Sequence, residues 1–169
     1  GKFAHSPEPL PEHLSQLCNE VVKQQADLGI AVDPDVDRLC FVCEDGSMFG
    51  EEYTLVAVAD YILGKIKGNT VSNMSSTKAL KEITLQHGGE YFPSAVGEVN
   101  VVKKMKEVNA VIGGEGNGGI IVPDFHYGRD ALLDQIAPEG QIAVDMRAHF
   151  GKSSLGRSEG QHPGRHDRV

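Results

Sequence analysis

The sequence predicts a layered α/β domain with a largely parallel sheet, preceded by part of another domain. Short apolar runs alternate with helical periodicity between roughly residues 50 and 113, the order expected of strand–helix repeats. A turn-rich break at residues 47–50 separates that repeat from an earlier helix and two strands. The 169 residues are 40% hydrophobic and 24% charged, enough apolar material for one core plus part of a second.

In the first unit, Leu14, Leu17, Cys18 and Val21 fall at i, i+3, i+4 and i+7, and Pro11 stands near the first helical position. This spacing predicts an amphipathic helix over 12–25. Residues 28–32 and 39–43 read as two short buried strands joined by the acidic stretch Asp33-Pro34-Asp35-Val36-Asp37-Arg38. After a turn over 44–47, Leu55, Val58, Ala59, Ile62 and Ile66 keep helical spacing up to the stop at Gly68. The second unit continues as strand 70–74, helix 77–86, strand 91–95, helix 98–107 and strand 110–113, with Leu80, Ile83, Val101, Val102 and Met105 as core. Residues 151–169 hold four glycines and four basic residues but almost nothing apolar, which predicts a disordered tail. The chain opens on Gly1 rather than Met and runs into a Pro-rich turn, so the start reads as an internal one.

The charge balance narrows the partners. Lys plus Arg number 16 against 24 for Asp plus Glu, a formal charge of −8. This argues against nucleic acid or an anionic membrane held through phosphates. No apolar run approaches the roughly 20 residues that span a bilayer, and a cytoplasmic setting is the expectation. Cys40 and Cys43 form a C-x-x-C, but residues three apart in a strand point to opposite faces. Buried structural cysteines are therefore favoured over a redox pair or half a zinc site.

Two loops carry chemistry. Asp33, Asp35 and Asp37 alternate within one short connection, a spacing that brings three carboxylates to one hard cation. Without a cation such clustering is electrostatically unfavourable; Mg2+ is the natural candidate, and a solvated acidic turn is the plain alternative. An EF-hand register would place its first, third, fifth and twelfth positions on Asp33, Asp35, Asp37 and Glu44, but the sharp-turn glycine is replaced by Arg38 and the flanks are strands. The second loop, Gly113-Gly114-Glu115-Gly116-Asn117-Gly118-Gly119, contains a formal G-x-G-x-x-G. A strand-like Ile120-Ile121-Val122 follows where a dinucleotide site needs a helix N-terminus, so an NAD reading is disfavoured. A carboxylate and an amide on a bare backbone suit sugar hydroxyls; a plain glycine turn is the alternative.

Together these loops resemble the α-D-phosphohexomutase superfamily. Asp33 to Arg38 is similar to its magnesium loop, D-G-D-x-D-R, and Gly114-Glu115-Gly116-Asn117-Gly118 to its sugar-recognition loop, G-E-x-S-G. Pro7-Glu8-Pro9-Leu10, Gly50-Glu51-Glu52, Val96-Gly97-Glu98 and His126-Tyr127-Gly128-Arg129-Asp130-Ala131 also fit, so the likeness runs from residue 1 to about 133. It implies the C-terminal half of domain 2 with the metal loop over 1–47 and domain 3 with the sugar loop over 48–150, each a layered α/β/α unit with a mixed, largely parallel sheet. It also implies that Asp33, Asp35 and Asp37 bind Mg2+, that Arg38 sits beside the phosphate-transfer centre, and that Glu115 and Asn117 hold sugar hydroxyls. The implied activity interconverts hexose 6-phosphate and hexose 1-phosphate through a phosphoserine enzyme and a bisphosphate intermediate, with a preference for phosphoglucosamine mutase. The phosphoserine of domain 1 and the phosphate-gripping loop of domain 4 fall outside these residues, so the chain alone is expected to be inactive. A non-catalytic sugar-phosphate-binding or assembly domain is the competing class. Three positions depart from the pattern: Pro34 replaces glycine, Asn117 replaces serine, and Pro138 interrupts the long helix expected to open at Gly128-Arg129-Asp130.

Overall fold

The computed structural model describes residues 10–129. The expectations for the opening residues 1–9, the helix broken at Pro138 and the tail 151–169 lie outside the described residues.

The first unit begins with a 3-10 turn, Pro11–His13, and a helix α1, Ser15–Gln24. One continuous helix over 12–25 is the sequence expectation. The structure divides it because Leu14, at φ −102° and ψ 7°, sits as an N-cap with no side-chain cap bond, while its side chain is buried. Burial of Leu14 thus sets the entry angle, and Gln25 closes the helix in the left-handed region at φ 52°. Strands β1, Leu28–Val32, and β2, Leu39–Cys43, pair antiparallel with Val32 opposite Leu39, so the acidic stretch is a hairpin connection. Leu39 and Phe41 pack on Ala57 with Phe49 and Tyr61 around them. Cys40 and Val42 alternate to the other face, where α1 lies. Helices on both faces explain why four successive β2 residues are buried.

Helix α2, Glu51–Lys65, starts after Gly50 at φ 95° and buries Thr54 through Ala59 in one unbroken run. A helix apolar all round is one packed on several sides. Here α2 lies between β2 and the second sheet. That sheet has the order β4-β3-β5-β6, formed by β3, Asn69–Asn73, β4, Tyr91–Ser94, β5, Ala110–Glu115, and β6, Gly119–Ile121. The β3–β4 and β3–β5 pairs are parallel and β5–β6 is antiparallel, the mixed, mostly parallel arrangement expected. Helix α3, Ala79–Gln86, and α2 cover one face, where Leu55, Val58, Leu63 and Leu80 meet Ile112 and Ile120. Helix α4, Glu98–Val108, covers the other through Val101 and Met105 on Val71 and Ile121. Each fully buried Leu or Ile contributes about 1.5–3 kcal/mol relative to exposure.

The glycine stretch is shorter as a loop than its sequence suggests. Gly113, Gly114 and Glu115 extend β5, the turn is confined to 116–118, and β6 returns at once. Close packing explains why glycines occupy a strand here. A Cβ on Gly113 would stand 2.6 Å from Met105 Sδ and 2.8 Å from the Val71 carbonyl oxygen.

Gly118 joins the two sheets. It holds φ 81°, its carbonyl accepts the Leu39 amide at 3.0 Å, and a Cβ there would lie 2.5 Å from the Leu39 carbonyl oxygen. Gly118→Ala should therefore destabilise the protein by roughly 1–3 kcal/mol through left-handed strain and a backbone clash. Urea unfolding checks this, and an unchanged midpoint would contradict the contact.

Candidate functional site

The acidic loop is wound by its own first carboxylate. Asp33 Oδ1 accepts the amides of Asp37 at 3.0 Å and Arg38 at 3.1 Å, and the Val36 amide donates to the Asp33 carbonyl at 3.1 Å. This winding puts Val36 at φ 58°, a left-handed conformation that a β-branched residue adopts only under constraint. Asp33, Asp35 and Asp37 each bring a carboxylate oxygen within 4.8 Å of the others. Two like charges at that separation repel by about 3–4 kcal/mol at an effective dielectric near 20. Arg38 Nε offsets part of this, at 3.4 Å from Asp33 Oδ2 and 3.8 Å from Asp37 Oδ1.

The two inner carboxyls respond in opposite directions. Burial pushes Asp33 up, but the amides of Arg38 and Asp37, aided by the Arg38 charge, hold it below the usual carboxylate range. Burial and the proximity of Asp33 push Asp37 up, against the pull of Arg129. Three hard oxygen donors that remain electrostatically underserved fit a small divalent cation. Among the described residues no other group of three such side chains lies together.

Glu115 ends β5 and is only 8% exposed. Its Oε1 accepts Asn73 Nδ2 at 2.7 Å and the Gly97 amide at 3.1 Å. Asn73 ends β3, and its own Oδ1 accepts the hydroxyls of Ser75 at 3.0 Å and Ser76 at 2.7 Å. The carboxyl ends of β3 and β5 and the start of α4 thus converge, where open α/β sheets place their ligands. Asn117 lies in the turn, with Oδ1 accepting the Gly119 amide at 3.1 Å. Arg129 joins the two loops: it bonds Asp37, and its Nε lies 3.1 Å from Glu98 Oε2 and its Nη1 3.7 Å from Glu115 Oε2.

The structure therefore brings Asp33, Asp35, Asp37 and Arg38 into one cluster and ties Asp37 to Glu115 through Arg129. Asn73 belongs to none of the motif stretches that the sequence marks out, while Glu98 and Arg129 fall inside stretches that fit the family pattern without being given a site role. A polar residue at the carboxyl end of a parallel strand, as Asn73 is, was the available signal; for Arg129 no local pattern announces its partners. Of the C-x-x-C pair only Cys40 is buried, its thiol pushed up to about 11 by burial; Cys43 is half-buried, and burial raises it too. Among the described residues no helix is long and apolar enough to cross a membrane.

Comparison with known proteins follows the same lines. Residues 50–137 match the family described as phosphoglucomutase/phosphomannomutase, alpha/beta/alpha domain III, and residues 1–46 match its domain II. A probable phosphoglucosamine mutase of Methanopyrus kandleri is 40% identical over 135 residues, covering 79% of this chain and 30% of that protein. A phosphoglucomutase/phosphomannomutase of Thermococcus kodakarensis is 36% identical over 135 residues, with the same 79% and 30% coverage. The crystal structure of a putative phosphomannomutase from Thermus thermophilus superposes with a TM-score of 0.76 at 25% identity, covering 88% of this chain and 33% of that one. The chain belongs to the α-D-phosphohexomutase superfamily and carries parts of domains II and III. It spans about a third of the length of the curated relatives it matches.

Opposite shifts give opposite pH signatures without divalent cation. A depressed pKa at Asp33 contributes stability above the unfolded value of about 3.9, lost as pH falls through the folded value. A raised pKa at Asp37 does the reverse, so charging it on going to neutral pH is unfavourable. Asp33→Asn should lower and Asp37→Asn should raise the neutral-pH unfolding midpoint in EDTA, with both differences closing in acid. Urea titrations at stepped pH measure this, and shifts of one sign for both variants would contradict the assignment.

Proposed function

We propose that this chain supplies the metal loop and the sugar-recognition turn of a phosphohexomutase that interconverts hexose 6-phosphate and hexose 1-phosphate. The observation that carries the reading is the joining, through Arg129, of a three-aspartate cluster and a buried Glu115 in a chain of this family. Phosphoglucosamine is the preferred substrate in this reading, in keeping with the name of the Methanopyrus relative, while the Thermococcus relative carries the glucose and mannose names. In this reading residues 1–47 belong to domain 2 and residues 48–150 to domain 3, in a cytoplasmic enzyme.

Asp33, Asp35 and Asp37 are the residues that would hold Mg2+. Bound there, the cation would offset charge on a transferring phosphoryl group. Arg38, whose Nε lies 3.4 Å from Asp33 and 3.8 Å from Asp37, supplies a guanidinium beside the loop, suited to orient phosphoryl oxygens. Glu115 accepts sugar hydroxyls, and the Asn73 and Gly97 donors on Oε1 fix the direction in which it does so. Asn117 supplies a second polar group from the neighbouring turn. The phosphoserine and the loop that grips substrate phosphate are assigned to domains 1 and 4, outside these residues. The 169-residue chain alone should then show no turnover; turnover by it would contradict the assignment.

In an enzyme containing all four domains, Asp35→Ala should depress kcat on the order of 100-fold for every hexose phosphate, by removing charge stabilisation at the transferring group. Glu115→Ala should lower kcat/KM roughly 10- to 100-fold, with KM carrying part of the loss, because a charge-assisted contact to hydroxyls is gone. Steady-state kinetics on glucosamine, glucose and mannose phosphates separate the two. Unchanged constants for Glu115→Ala would favour a binding or assembly domain instead.

A further inference from the structure

Arg129 follows the β6 return, yet its guanidinium reaches acids on three separate elements. Nη2 bonds Asp37 Oδ2 in the acidic loop, Nε lies 3.1 Å from Glu98 Oε2 at the start of α4, and Nη1 lies 3.7 Å from Glu115 Oε2 at the end of β5. The side chain is 18% exposed, so its charge is less screened than that of a surface arginine. The backbone makes room for it: a Cβ on Gly119 would stand 2.5 Å from Arg129 Cδ. Distributing three nitrogens to three carboxylates uses the planar fork of arginine, which a lysine ammonium does not reproduce.

We propose that Arg129 is a positioning residue of the candidate site. Its guanidinium is the shared counter-cation of Asp37, Glu98 and Glu115, and it competes with a divalent cation for the Asp37 carboxylate. The inference rests on the acidic loop being the cation site proposed above. A cation arriving at Asp37 meets a guanidinium already bonded to that carboxylate, and the two positive charges repel. Glu98 and Glu115 draw the guanidinium the other way and moderate this repulsion. Neutralising Glu115 removes part of that pull, so Arg129 settles more firmly on Asp37 and the cation binds less well. The linkage is reciprocal: cation at Asp37 frees Arg129 to engage Glu115 more strongly.

The test is a double-mutant cycle read by calorimetric titration of Mg2+ into the full chain as wild type, Glu115→Gln, Arg129→Met and the double variant. Arg129→Met should tighten Mg2+ binding about threefold, the size of a partly shielded ion-pair effect. Glu115→Gln should weaken binding by about twofold in the wild-type background and leave it unchanged in the Arg129→Met background. A residue that only holds the fold together would lower the melting temperature without this dependence. If Arg129→Met does not fold, Arg129→Lys replaces it and should likewise lose the Glu115 dependence, because a single nitrogen cannot bridge both loops. Mg2+ affinity unaffected by Arg129, or a Glu115→Gln effect of equal size in both backgrounds, overturns the proposal and leaves the cation site standing. A wild-type chain that binds no Mg2+, with Asp35→Asn indistinguishable from it, overturns the cation site and the competition together.

Discussion

The site depends on the seam between β2 and the glycine turn. The Leu39 amide donates to the Gly118 carbonyl at 3.0 Å, while the Leu39 side chain packs with Phe41 on Ala57 of α2. One residue thus ends the acidic loop, anchors the first sheet to the central helix and touches the turn that follows Glu115. Because Leu39 directly follows Arg38, any sliding of β2 along α2 would carry the carboxylates away from Glu115. Apolar packing is non-directional, whereas the hydrogen bond at Gly118 holds only over a narrow range of distance and angle.

The charges around this seam are arranged in pairs of unequal strength. Asp33 turns inward and spends one oxygen on two backbone amides, which stabilise its ionised form whatever happens outside the loop. Asp37 has the opposite character, since its partner is the distant Arg129 and burial disfavours its charge. Asp35 is exposed. The loop therefore presents one carboxylate committed to its own fold, one shared across the site and one open to solvent.

Much of this was legible in the residues. The helices of the repeat from β3 to β5 are signalled by periodicity, because each buries one stripe against the sheet: Leu80 and Ile83 on α3, Val101 and Met105 on α4; β3 and β5, buried on both faces, show instead as short runs between turn signals. The acidic and glycine-rich stretches also stood out, since three alternating aspartates and five closely spaced glycines are compositional extremes. Three things were not legible. The break between the 3-10 turn and α1 follows from burial of Leu14, a tertiary effect that helical spacing does not encode. The extension of β5 through Gly113 and Gly114 goes with close approaches that leave no room for a Cβ, of Met105 and Val71 to Gly113 and of the Gly119 and Ile120 backbone to Gly114, contacts that helical or strand periodicity does not encode. Asn73 gains its role through Glu115, 42 residues further along the chain, and Arg129 through Asp37, Glu98 and Glu115 on three separate elements.

Val36 carries a consequence of its own. A β-branched residue at φ 58° is held there by the Asp33 bonds on either side of it and by packing beside Leu39 and Phe41. The winding of the loop is thus held by the chain's own hydrogen bonds and packing. A preset ring of donors has little freedom to expand for a large ion that demands seven or eight oxygens, and suits a small one that tolerates few protein ligands and retains its waters. On the proposed reading, discrimination against calcium would be a property of backbone torsion as much as of carboxylate number, fixed by a residue that has no ligand atom to offer.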